Sequence, residues 1–246
     1  MSLYITRTSS RFHNSFGILC SSFLLCNLQG LFIHITWCIV VLSVKSPILS
    51  LPELFSVRLV GLILNGGWFG TLLLHFLTAL NRFYAFVYAT KYNNLWSESR
   101  TLKMVVISWI VTMVYCTHHL YDDCSLLFNY GLNYRWLHYT SFHGQICAKT
   151  DAVVSLAFVI SMACFDFFTS VKIIAYRRTM ARNRSEGIGS AISEKEVRFF
   201  KQSCKLGSFY VSSVIGFNVF PHFFANKWIL FMTSTMLWIL AHSLDG

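Results

Sequence analysis

LVGLILNGGWFGTLLLHFLTALNRFYAFVY, residues Leu59 to Tyr88, is the stretch whose reading decides the fold. From Leu59 to Ala79 it contains no Asp, Glu, Lys or Arg. At about 1.5 Å rise per residue that run alone crosses a hydrocarbon layer of roughly 30 Å. Arg82 follows where such a helix leaves the lipid, and from there a guanidinium reaches headgroups or water, escaping most of the cost of a central position.

The remainder of the chain has the same character. Of 246 residues, 55% are hydrophobic, 17% aromatic and only 12% charged, and the mean hydropathy is +0.54. Soluble domains carry roughly a quarter charged residues, so the composition belongs to the membrane class. The net charge of +10 does not point to nucleic acid, because the basic residues fall between apolar runs rather than along an aromatic-interleaved stripe. The eight Cys residues form no CxxC pair. Cys20, Cys26, Cys38, Cys116 and Cys164 sit in apolar runs, where a thiol behaves as a small hydrophobe.

Residues 1–14 are polar, with Arg7 and Arg11, and lack the apolar centre of a signal peptide, so they read as a cytoplasmic lead-in. The rest, residues 15–246, reads as an all-α polytopic membrane bundle with six visible spans: about 16–42, 59–80, 102–120, 152–176, 206–220 and 228–246. Asn27, Gln29 and His34 in the first span are suited to a bundle interior. Pro47 and Pro52 mark a turn, the segment from Tyr121 to Thr150 reads as a long loop, and Arg177 to Glu196 reads as a polar loop with Gly187 and Gly189. Arg198, Lys201 and Lys205 share one face at the start of the fifth span.

Orientation follows from the cations. With a cytoplasmic N-terminus, the inner side collects all of the 20 Lys and Arg residues except Lys45, Arg58, Arg135, Lys149 and Lys227, as the positive-inside rule demands. Arg82 is then inside, and the loop holding Cys124 and Cys147 is outside, where disulfides form. The sequon Asn183-Arg184-Ser185 falls inside and should stay unmodified.

Arg82 between Asn81 and Phe83, at the inner end of a long apolar helix, resembles the switch motif of seven-helix G protein-coupled receptors, with Asn-Arg-Phe in place of Asp-Arg-Tyr. The alternative is a basic anchor at a helix end. An ordered set of further stretches resembles one family, the nematode serpentine receptor class X. The set begins with Ser15-Phe16-Gly17, Leu80-Asn81-Arg82-Phe83 and Lys91-Tyr92-Asn93. It continues with Trp109, Cys124, Trp136, Cys147, Asp166, Thr169 and Lys172-Ile173, and ends with Arg198-Phe199-Phe200-Lys201-Gln202, Cys204, Trp238 and His242-Ser243-Leu244-Asp245-Gly246.

The resemblance implies a rhodopsin-like receptor architecture and a chemosensory role, with no enzymatic activity and no cofactor. An external small molecule or peptide would bind between the helices and a heterotrimeric G protein inside, in the plasma membrane of sensory neurons. It also implies a helix before Ser15 and a seventh helix running past Gly246, so a partial receptor, truncated or non-signalling, is expected. The alternative reading is a polytopic transporter or channel subunit, but no internal repeat is visible and only Asn65-Gly66-Gly67 resembles a broken helix.

In that frame Asn81, Arg82 and Phe83 are the expected G-protein switch. With Asn81 replacing a carboxylate, any restraint on Arg82 must come from elsewhere. Receptors of this kind commonly tie the outer loop to their third helix, but no Cys lies between Lys45 and Gly67. A Cys124–Cys147 bridge is therefore expected, closing a loop of roughly 22 residues and contributing about 3 kcal/mol; the other reading is two free thiols. Asp166, counted from Ala152, falls about 20 Å into the membrane, a position that defaults to function. His242 reaches a similar depth, so the two are expected to pair, with Ser212 or Ser213 as the blander partners. Trp68, Phe217 and Phe220 are the candidate pocket aromatics. His118, His119, His138 and His143 invite a metalloenzyme reading, yet such clusters lie on the cytosolic side, these four fall outside, and their spacing forms no tight His box. No metal site is assigned.

Overall fold

The computed structural model describes residues 15–129, 135–184, 207–209, 211–213, 215–216, 223 and 226–243. Its main elements are helices α1 (Ser15–Val44), α2 (Phe55–Val87), α3 (Ala89–Leu95), α4 (Glu98–Tyr115) and α5 (Phe142–Arg184), with a hairpin of β1 (Leu126–Asn129) and β2 (Arg135–His138) between α4 and α5. Residues 227–243 continue as α6 (Lys227–Phe231), a π-helical turn (Met232–Met236) and α7 (Leu237–Ser243). Among the described residues, four helical stretches are long and apolar enough to cross a membrane: Ser15–Val44, Pro47–Val87, Glu98–Leu120 and Phe142–Tyr176. The expected lead-in at 1–14 and most of the span at 206–220 lie outside the described residues.

Local chemistry sets the boundaries. No charged residue interrupts α1; it ends at Lys45, which adopts φ 51° and donates its N–H back to the Val41 carbonyl at 3.0 Å, and Pro47 then forbids continuation. Tyr88 (φ −126°, ψ 47°) separates α2 from α3. Ser97 caps α4, its hydroxyl accepting from the Arg100 N–H, with Glu98 placed well for the helix dipole. At 43 residues, α5 is about 65 Å long and projects beyond a hydrocarbon layer of about 30 Å. The spans expected at 59–80 and 152–176 are therefore the central parts of longer helices.

The burial pattern is that of a bundle solvated by lipid. Phe32, Val153 and Phe167 are each at least 64% exposed, whereas Asn27, His34, Asn65, Thr71, His75 and Ser108 are buried. A water-soluble fold would not present so much apolar surface. Polar side chains link the helices inside, as expected where lipid gives helices no hydrophobic reason to associate. Thr71 donates to Asn27 Oδ1 at 3.2 Å, and Trp109 Nε1 donates to Ser22 Oγ at 3.1 Å. His34 lies against the rings of Trp136 and Trp238.

The segment read as a loop contains the hairpin, a short β element among the described residues. Phe128 pairs with Trp136 and Leu127 with Leu137, and Leu126, Phe128 and Trp136 are buried against Val41, Leu64 and Trp238. The hairpin thus plugs one end of the bundle. Gly61 admits it, because a Cβ there would run into the Leu126 carbonyl oxygen. Two further ties hold it: Ser50 Oγ donates to the Phe128 carbonyl at 2.8 Å, and Arg58 pairs with Asp122 and donates to the Leu120 carbonyl at 2.9 Å. Two short apolar and aromatic runs on either side of Gly131 and Asn133 are a sequence signal for such a strand pair.

Candidate functional site

Two polar nodes occupy opposite ends of the bundle. The first is at the end where α1 begins, α2 finishes and α4 starts, held together by Ser15 Oγ donating to the Trp96 carbonyl at 2.6 Å. There Arg82 Nη2 donates to Asp166 Oδ1 at 2.7 Å, and both side chains are at least 90% buried. Asn81 Nδ2 donates to Tyr92 Oη at 3.1 Å, joining α2 to α3. Phe83 packs edge-on against Phe165 at 5.2 Å between centroids, beside Tyr84 and Tyr88. A buried charge is tolerable only when paired and hydrogen-bonded, and a charge-assisted Arg–carboxylate contact at this distance is the strong kind.

Asp166 therefore has Arg82 as a partner, a contact additional to the expected one with His242. The reason is a matter of depth. Helix α5 starts at Phe142, about ten residues before the assumed origin at Ala152, which carries Asp166 along α5 to the level of Arg82. His242 lies in α7, but its side chain is outside the described residues. A cavity of about 250 Å³ opens beside the pair, lined by Val159, Met162, Asp166, Phe167, Gly207 and Val211 among others. Gly207 approaches so closely that a Cβ there would sit 3.8 Å from Asp166 Oδ2 and 3.9 Å from His75 Nε2. Arg82 and Asp166 come together because α2 and α5 run side by side, which neither local sequence announces.

The second node lies beneath the hairpin. Cys124 and Cys147 are disulfide-bonded, with Cα atoms 5.7 Å apart, pinning the segment before β1 to the first turns of α5. Next to the bridge, Asp151 gathers partners from α2, α4, the turn after α4 and β2. Tyr115 Oη donates to its Oδ1 at 2.8 Å, and Asn65 Nδ2 donates to its Oδ2 at 2.9 Å. Nε2 of His118 lies 3.4 Å from Oδ1, and Nε2 of His119 and His138 lie 3.3 Å and 3.6 Å from Oδ2. His143 stays apart, near Asp123. The adjacent His118 and His119 and the distant His138 thus meet at one carboxylate, because the turn after α4 and strand β2 both fold over the start of α5. Burial pushes the His138 imidazole down to about 4, so it is neutral at physiological pH.

The pocket aromatics divide. Trp68 is half-buried between the nodes, its Nε1 donating to Ser155 Oγ at 3.3 Å, with Trp238 edge-on at 5.9 Å. Phe217 and Phe220 lie outside the described residues.

Comparison with known proteins agrees with this architecture. The family model for the serpentine type 7TM GPCR chemoreceptor Srx matches residues 1–246. Serpentine receptor class X 45 of Caenorhabditis elegans is 25% identical over 194 residues, covering 70% of this chain and 52% of that protein. Serpentine receptor class X-43 of the same organism is 24% identical over 250 residues, covering 94% and 71% respectively. The chain thus spans about half the length of the first relative.

Proposed function

Since the chain belongs to the Srx family of serpentine 7TM GPCR chemoreceptors, we propose that it is a chemosensory receptor of the plasma membrane of sensory neurons, converting an external small molecule or peptide into activation of a heterotrimeric G protein. Its setting is a multi-pass membrane bundle, and its family is one of receptors rather than enzymes. The observation that carries the proposal is the buried Arg82–Asp166 pair, 2.7 Å across, between α2 and α5.

The pair supplies the restraint that Asn81 cannot. A guanidinium held by a carboxylate on a neighbouring helix keeps the ends of α2 and α5 together. Separating those ends exposes Arg82, with Asn81 and Phe83 beside it, to the C-terminal helix of a G protein. A ligand drives this only by binding the parted arrangement better than the closed one. Trp68, with Phe217 and Phe220, would line the ligand pocket in the outer half, under the hairpin.

The test is a G-protein dissociation reporter in cells that display the full chain at their surface. Asp166→Asn should raise the basal signal above wild type, because it frees the switch. Arg82→Ala should remove it. Surface-expressed wild type and Asp166→Asn that give identical, reporter-silent responses across a broad chemical screen would refute the proposal. Ion current or solute flux through the same cells would favour a transporter or channel instead.

A further inference from the structure

The histidines about Asp151 are arranged for more than packing. His118 Nδ1 lies 2.7 Å from the Tyr115 carbonyl and His119 Nδ1 lies 2.9 Å from the Cys124 carbonyl. A carbonyl only accepts, so in both rings Nδ1 carries the proton and, in the neutral ring, Nε2 presents its lone pair. His118 Nε2 then faces Asp151 Oδ1 at 3.4 Å, and His119 Nε2 faces Oδ2 at 3.3 Å with the Asn65 amide beside both. His138 brings a third ring to the carboxylate, at 3.6 Å from the oxygen that His119 faces. An imidazole nitrogen turned toward a carboxylate calls for positive charge between them, which a proton or a bound cation supplies.

We propose that this node is a binding site for a divalent transition-metal ion of the zinc type, held by Nε2 of His118 and His119 and by the Asp151 carboxylate, with the fourth position open to water and His138 packed against the same carboxylate. The donor atoms of His118, His119 and Asp151 all lie within 4.8 Å of one another. Metal–nitrogen distances of about 2.0–2.1 Å in a tetrahedron give donor–donor edges of about 3.4 Å. His118 Nε2 lies 3.4 Å from Oδ1 and His119 Nε2 3.3 Å from Oδ2, so the two rings address the two oxygens of one carboxylate at that spacing.

Calcium and magnesium prefer all-oxygen shells, whereas imidazole with one carboxylate suits zinc and its neighbours.

The surroundings supply the outer shell that such sites require. Backbone carbonyls orient the His118 and His119 rings, and the Tyr115 hydroxyl and the Asn65 amide hold the carboxylate. The Asn65 amide also lies 2.5 Å from His119 Nε2; on binding, Asn65 gives up that contact and keeps Asp151. Entry is past His118, whose side chain is 25% exposed while that of His119 is fully buried. Once bound, the ion would clamp the turn after α4 to the start of α5 beneath the disulfide.

The experiment uses the full chain, stripped of metal and held in lipid nanodiscs, titrated with Zn²⁺ and with Co²⁺ as a spectroscopic substitute. It needs no G protein, so its outcome is independent of the receptor proposal. One ion per chain is expected, with the visible absorption of four-coordinate cobalt and no thiolate-to-cobalt charge-transfer band. His118→Ala and Asp151→Asn should weaken binding at least about ten-fold, and His143→Ala should leave it unchanged. Because the buried carboxylate is also structural, His118→Cys provides a second arm: that half-exposed position should gain the thiolate band. Failure to bind a stoichiometric ion, a thiolate band in the wild type, or binding that His118→Ala leaves intact would overturn the proposal.

Discussion

Arg82 and Asp166, 84 positions apart in the chain, meet at 2.7 Å in the interior of the bundle. Neither charge is affordable alone at that burial, so each explains the other, and the contact makes the packing of α2 on α5 conditional on an ion pair. Such a contact holds firmly while intact and yields abruptly when one partner is lost.

Removing one partner should therefore cost far more than removing both. Arg82→Met or Asp166→Leu alone is expected to lower the stability of the full chain by about 3–5 kcal/mol, and the double substitution by much less than the sum. Thermal unfolding in nanodiscs measures the cycle. Additive losses would mean that the two side chains do not interact.

The hairpin depends on one missing side chain. Gly61→Val puts Cβ where the Leu126 carbonyl oxygen stands, and overpacking of this kind costs about 1–3 kcal/mol. Amide hydrogen exchange should speed up in Leu126–Asn129 and Arg135–His138 while the inner half of α2 remains protected. Unchanged protection in the strands would show that the plug does not rest on Gly61.

The Cys124–Cys147 bridge closes a short loop directly over the histidine node. Cys124→Ser with Cys147→Ser should lose about 3 kcal/mol, and non-reducing peptide mapping of the wild type should recover the two cysteines in one linked fragment. Recovery of both as free thiols from oxidising conditions would contradict the pairing.

At the opposite end, Tyr92→Phe deletes the acceptor of the Asn81 amide. A loss of about 1 kcal/mol is expected, with a larger shift in reporter output than in stability if Asn81 positions its neighbour Arg82. Equal wild-type behaviour in both measurements would separate Asn81 from the switch.

Topology is open to direct attack by protease. The segment around Arg182 and Lys195 should be cut only after the cytoplasmic side is exposed, and Asn183 should carry no glycan. Cleavage from outside intact cells would invert the bundle and remove Arg82 from the reach of any G protein.

Chain chemistry alone was enough to show which parts lie in lipid. Long runs without charge, such as Leu59 to Ala79, have one stable environment, and polar residues such as Asn27 and His34 within them must turn inward. The family was equally legible, because its signature residues recur in order along one chain. The hairpin was less so: Leu126–Asn129 and Arg135–His138 are too short for periodicity to separate strand from loop, and only their burial against Trp238 and Val41 shows that they form a plug.

What the sequence by itself determined is the environment: a bundle of apolar helices in a membrane, with Arg82 near the end of one long apolar run and Asp166 inside another. Which residues meet was decided by the tertiary structure alone. Hydropathy is a sum over one segment and survives without neighbours, whereas a contact depends on where two helices start and how each is rotated about its axis. The ten residues by which α5 begins early move Asp166 to Arg82, and the fold of β2 over α5 brings His138 to His118, His119 and Asp151.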